Sequence, residues 1–231
     1  MQRRTFGGLI FAVSVALALG TAPSLAPASA QALPSSTPTP RSETPVGTIP
    51  PVGTVPPVAP WVCPCSVFGP AEVPAAPDNY DGVPLEVGVK FRADVDGHVT
   101  ALRFYKGAAN TGAHEGRLYA ADGTLLAAAP YAGESASGWQ QVALPQPVAV
   151  QANAVYVATY YSAGGGYAST LEGLALGVDR APLHAPASTS AGGNGVFRYG
   201  EGGGFPTETY RANNYWADVV FVLGVPPTVT P

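Results

Sequence analysis

From Leu85 to Arg92 the chain alternates strictly: Leu85, Val87, Val89 and Phe91 are apolar, while Glu86, Lys90 and Arg92 are charged. Period two belongs to a strand with one face turned to a core. Val155, Val157 and Thr159 oppose Tyr156, Ala158 and Tyr160 in the same manner. After Trp61 no window of ten or more residues carries a helical period. The alternation predicts strands near Leu85–Arg92, His98–Lys106, Gly116–Ala121, Thr124–Tyr131, Gly138–Leu144, Ala154–Tyr161, Gly195–Tyr199 and Tyr215–Leu223. Asp96-Gly97 and Asp122-Gly123 read as hairpin turns, because glycine accepts the positive φ that primed turns require. Pro145 and Pro147 are expected to close the strand that starts at Gly138, since proline donates no ladder hydrogen bond. The fold expected is all-β, a two-sheet antiparallel sandwich of jelly-roll type. The stretch from Gly164 to Gly204, rich in Gly, Ala and Ser, reads as one long excursion over a sheet face.

The N-terminal third has a different character. Arg3 and Arg4 precede an apolar run, Leu9 to Leu19, too short to span a bilayer, and Ala28-Ser29-Ala30 supplies small residues for signal cleavage. Residues 1–30 are therefore expected to be a signal peptide, and the protein to be secreted. Gln2-Arg3-Arg4-Thr5-Phe6 resembles a twin-arginine signal without its preceding serine or threonine, so the Sec and twin-arginine routes both stay open. Residues 31–60 hold nine prolines and the near-repeat Pro45-Val46-Gly47-Thr48-Ile49-Pro50, Pro51-Val52-Gly53-Thr54-Val55-Pro56. Such a segment is expected to sample polyproline II as a disordered linker. Residues 61–225 form the expected domain and 226–231 a short tail.

Charge narrows the partners. The chain has 11 basic and 15 acidic residues, a formal charge of −4, and no basic cluster. That argues against nucleic acid, whose phosphates need grouped Lys and Arg. It argues equally against a membrane surface once the signal is removed.

Several motifs match a known family. Phe104-Tyr105-Lys106-Gly107, Asn110-Thr111-Gly112 and His114-x-Gly116 resemble a secreted bacterial family catalogued as the domain of unknown function numbered 4082. Cys63-Pro64-Cys65, Val87-Gly88-Val89-Lys90-Phe91, Ser137-Gly138-Trp139-Gln140 and Tyr156-Val157 extend the match. So do Gly195-Val196-x-Arg198-Tyr199, Gly204-Phe205-Pro206 and Asn214-Tyr215-Trp216-x-Asp218. The resemblance implies a β-sandwich module of the kind appended to large extracellular proteins, often beside immunoglobulin-like repeats or carbohydrate-active domains. It implies no activity.

Candidate chemistry is sparse. Cys63 and Cys65 are the only cysteines. An internal disulfide, a link to another chain and thiolate metal ligation all remain open, with an oxidised structural clip preferred because lone thiols persist poorly outside the cell. Asp94-x-Asp96-Gly97 resembles the start of a calcium loop, but an aspartate-rich hairpin tip explains it better, and no cofactor is expected beyond a conceivable structural calcium. The loop after the His98 strand offers Lys106, Asn110, Thr111 and His114 as hydrogen-bonding groups for a ligand, or as a turn that caps itself. Arg198, Tyr199, Asn213 and Tyr215 belong to a C-terminal cluster of aromatics among glycines and asparagines. Flat rings pack against the apolar faces of sugars, and Asn and Arg bind hydroxyls. Tyr215 and Trp216 are expected to face opposite ways, with at most one of them core and the other open to solvent. His114-Glu115 lacks the second histidine of a zinc-protease helix, and no Gly-x-Ser-x-Gly elbow occurs. The leading expectation is a non-catalytic module that binds carbohydrate or another envelope polymer. The alternatives are a structural or adhesive module contacting proteins, and, with least support, a glycan-active enzyme.

Overall fold

The computed structural model describes residues 61–224; the expected signal peptide, proline-rich linker and tail fall outside them. Among the described residues there are thirteen strands and no helix. In chain order they are β1 (Ala76–Tyr80), β2 (Leu85–Ala93), β3 (Gly97–Lys106), β4 (His114–Ala120), β5 (Leu125–Pro130), β6 (Gly138–Val150) and β7 (Val155–Ser162). There follow β8 (Gly166–Ser169), β9 (Val178–Arg180), β10 (Leu183–Ala185), β11 (Val196–Tyr199), β12 (Glu208–Thr209) and β13 (Ala217–Leu223). The strands form antiparallel sheets that do not close into a barrel. The largest runs β12-β11-β2-β7-β4-β5, with the β9–β10 hairpin added beside β2; the second runs β13-β3-β6; β1 and β8 make a two-stranded ribbon.

Alternation decides which side of each strand is inside. Leu85, Val87, Val89 and Phe91 of β2 and Tyr156, Ala158 and Tyr160 of β7 meet Leu102 and Phe104 of β3 and Val219 and Phe221 of β13 in one core. The Val, Leu and Phe side chains among them each contribute about 1.5–3 kcal/mol by leaving water. An exposed ion pair contributes about 0–1 kcal/mol, so the apolar pattern sets the register and the charges follow it.

Three expectations are corrected. The strand starting at Gly138 does not stop at Pro145 and Pro147; β6 continues to Val150. Ala101 pairs with Ala143 and Val99 with Val148, so both prolines sit in a bulge on the outer strand of the second sheet, where no ladder donor is missed. The stretch from Gly164 to Gly204 is not one excursion: β8, the β9–β10 hairpin and β11 within it each pair with other strands. Glu86 lies on the outer face of β2 as expected, yet it is completely buried, because the turn Gly200–Gly204 crosses over it.

Between the two β2 partners β10 and β11, one side chain substitutes for a strand. Asn194 accepts from the Lys90 N–H at 2.9 Å and donates to the Lys90 carbonyl at 3.0 Å, carrying the ladder across the gap. Gly195 follows at φ 76, where a Cβ would collide with the Asn213 carbonyl. Only glycine lets the segment holding Asn213 press against the start of β11.

Candidate functional site

The three-stranded sheet leaves part of the inner face of β2 and β11 uncovered. The β1–β8 ribbon and the segment leading into β13 stand over that part and enclose a cleft of about 540 Å³. Leu85 and Val87 form its floor, Phe197, Tyr167 and Tyr215 its aromatic walls, and Leu171, Tyr199 and Tyr210 its rim. Period two explains part of this. Phe197 and Tyr199 are two residues apart on β11 and share the inner face, their rings edge-to-face at 5.5 Å. Tyr215 joins the series, 6.2 Å from Phe197 and 5.8 Å from Tyr167, the separations at which ring quadrupoles attract. Tyr199 and Tyr210 keep 46% and 55% of their surface exposed, so their faces are open to a ligand.

The polar groups are ordered around Asp81. Its two oxygens accept from the hydroxyls of Tyr167 (3.3 Å) and Tyr199 (2.5 Å). The bond to Asp81 and then burial push the Tyr199 hydroxyl up to about 12. Burial and then Asp81 raise Tyr167 as well, and burial takes Tyr215 to about 12, so these hydroxyls keep their protons. Asn79 donates to the carbonyls of Ala76 and Tyr167 and to Ser169 Oγ, which ties the ribbon together. Asn213 is different: its carboxamide oxygen is buried without a hydrogen-bond partner.

Of the residues singled out by sequence, Tyr199, Asn213 and Tyr215 come together in this cleft. Arg198 points to the opposite face of β11 and approaches Gly204. Tyr215 and Trp216 do face opposite ways, but both are buried, because both sides are covered. Tyr215 enters the cleft wall while Trp216, at φ 57, packs on Phe68, Trp139 and Tyr105.

Lys106, Asn110 and His114 form a separate cluster. Glu134, twenty residues after His114, pairs with Lys106 at 2.8 Å and with His114 Nδ1 at 2.9 Å. His114 Nε2 meets the Asn110 carboxamide at 3.0 Å, and both side chains are almost fully buried. Burial, opposed by Glu134, holds the His114 pKa below its usual value. The loop turns the Lys106, Asn110 and His114 side chains onto one another and Glu134, and leaves Thr111 exposed at its tip. The aspartates of the hairpin are also engaged: Asp94 with Arg92 and His184, Asp96 with the Ala152 N–H. Cys63 and Cys65 are joined to each other, with Cα atoms 4.5 Å apart. Among the described residues no group of three or more His, Cys, Asp or Glu is placed to hold a metal ion.

A second groove, about 560 Å³, lies beside Cys65, Trp139, Arg103 and Arg180. Its cations are already committed, Arg103 to Asp218 and Arg180 to Glu72, which leaves the aromatic cleft as the candidate site. Asn79, Asp81, Ser169, Leu171 and Phe197 of that cleft are not reached by the sequence reading. The run Asp78-Asn79-Tyr80-Asp81-Gly82, polar residues around an aromatic just ahead of β2, is the signal that could have pointed there.

A family model described as "Domain of unknown function (DUF4082)" matches residues 71–217, from the approach to β1 through the first residue of β13. No curated protein matches the chain.

Proposed function

The chain belongs to that family, whose description names no activity, and we propose from the cleft itself that it is an exported, non-catalytic module that binds carbohydrate. The supporting observation is the series Tyr167–Tyr215–Phe197–Tyr199, with Tyr210 at the rim, around hydrogen-bonding groups of Asp81, Asn79 and Asn213. Sugar rings have apolar C–H faces and equatorial hydroxyls, so a site of open rings edged by fixed acceptors suits them. Glycosidases ordinarily set two carboxyl groups across the scissile bond. Of the residues lining this cleft, Asp81 alone is a carboxylate, and it serves to fix two tyrosines. That argues for recognition without turnover.

Glycan-array screening and polysaccharide pull-down, followed by titration of the best neutral oligosaccharide, test the reading. Tyr199→Ala removes one open ring and is expected to weaken binding about tenfold, about 1.4 kcal/mol, with the melting temperature within a few degrees of the parent. Blank array and pull-down results with folded protein would overturn it. A second reading, a module that contacts proteins through a sheet edge, draws on Leu125 and Leu126, exposed at 51% and 37% on the edge strand β5.

A further inference from the structure

We infer that the cleft prefers a glycan whose sugars carry free protonated amines, a glucosamine-type polymer, over its N-acetylated and uronic-acid counterparts; this rests on the carbohydrate reading above.

The inference comes from the balance of donors and acceptors. Part of the cleft's donor capacity is spent on the protein. The Tyr167 and Tyr199 hydroxyls donate to Asp81, and the Asn79 amide donates to two carbonyls and Ser169. The acceptors are not spent. An ionised carboxylate has about four lone-pair sites, and the two tyrosines occupy one on each oxygen of Asp81. Asn213 adds a buried carboxamide oxygen with no partner. A ligand that engages the Asp81 and Asn213 oxygens must bring hydrogens. An ammonium brings three donors and a positive charge to these acceptors, whereas an N-acetyl group brings one donor and no charge to set against Asp81.

Charge points the same way. No Lys, Arg or His lines the cleft, and Asp81 is exposed at its edge. The two cations adjacent in sequence to lining residues are directed elsewhere: Arg198 lies on the opposite face of β11 against Gly204, and Arg211 is paired with Glu172 at 2.6 Å. The open faces of Tyr199 and Tyr210 carry negative quadrupole potential, which attracts an ammonium and repels a carboxylate. A uronic acid would place a like charge beside Asp81 with nothing to offset it.

Titration calorimetry of the full chain with a glucosamine hexamer, its N-acetylated form and a uronic-acid hexamer decides the matter. The runs are made at low and high salt, below the pKa of the sugar amine. The glucosamine hexamer is expected to bind at least about tenfold more tightly than the acetylated form, about 1.4 kcal/mol. Most of that margin should disappear in high salt, where the Debye length shrinks to a few ångströms. The uronic-acid hexamer should bind weakest. Asp81→Asn should bring the amine and acetyl forms within about twofold of each other, Asp81→Glu should restore part of the gap, and Thr111→Ala, outside the cleft, should change neither affinity. Melting temperatures establish that each variant is folded, and the salt dependence of the parent protein decides the case if one is not. Equal affinity for the amine and acetyl forms, or a preference that survives Asp81→Asn, overturns the inference and leaves the carbohydrate reading standing. Failure of every hexamer to bind overturns the inference, and the carbohydrate reading falls with it when the array and pull-down are blank as well. Binding of polylysine as tight as that of the amino hexamer also overturns it, since an ammonium alone would then suffice.

Discussion

Glu86→Ala is expected to destabilise the domain by about 3–5 kcal/mol, the range for breaking a buried ion pair by removing one partner. Glu86 is fully buried, and all its interactions are charge-assisted. One oxygen accepts from Arg117 Nη1 and the Gly204 N–H, both at 2.6 Å; the other accepts from Thr159 Oγ1 at 2.6 Å. Truncation leaves Arg117 half-paired with Glu115 and removes the anchor of the Gly200–Gly204 turn. Glu86→Gln keeps the shape but sets an NH2 against donors, so it should be intermediate. Urea unfolding measures both. The alanine variant should shift the midpoint at an unchanged slope, and a loss under about 1 kcal/mol would contradict the role given to Glu86.

The second large effect is a dependence of stability on pH that runs opposite to the usual carboxylate case. Asp218 is buried beneath Val67 and Phe68. Burial raises its pKa from 3.8 to about 6, against the opposing pull of Arg103 and of the Val219, Val67 and Phe68 N–H groups. With the folded value above the unfolded one, the folded state holds the proton through that window and the unfolded state does not. The stabilisation is therefore complete below pH 4 and is lost as pH rises through 6. A difference of that size is worth about 3 kcal/mol. Asp218→Asn should lack this slope, since a carboxamide does not ionise. The measurement is the difference between parent and variant unfolding free energies from pH 4 to 7. It should shrink by about 3 kcal/mol as pH rises; a constant difference would contradict the assignment.

How legible the fold was depended on local pattern. The eight strands expected from alternation are all present, since Leu85-x-Val87-x-Val89-x-Phe91 and its counterparts encode a buried face within one segment. The missing strands β1, β8, β9, β10 and β12 have five residues or fewer, and β1 contains Pro77. Nothing periodic marks them, because they are strands only through the partners that the tertiary fold brings. The cleft divides along the same line. Tyr199, Asn213 and Tyr215 stood out as aromatic and amide residues near the C-terminus, but Asp81 joins them only because β1 pairs with β8, bringing Asn79 opposite Tyr167. Conversely, the polar loop at Asn110 and His114 suggested an open site. Its sequence gave no hint that Glu134 would cap it from the segment between β5 and β6.

Backbone amide shift mapping with a bound oligosaccharide tests the central claim most directly. Perturbations should concentrate on Asn79, Asp81, Tyr167, Phe197, Tyr199 and Asn213, and titration should weaken about tenfold in Tyr199→Ala. Perturbations centred instead on the groove of Cys65, Trp139 and Arg180, with Tyr199→Ala binding as the parent does, would contradict it.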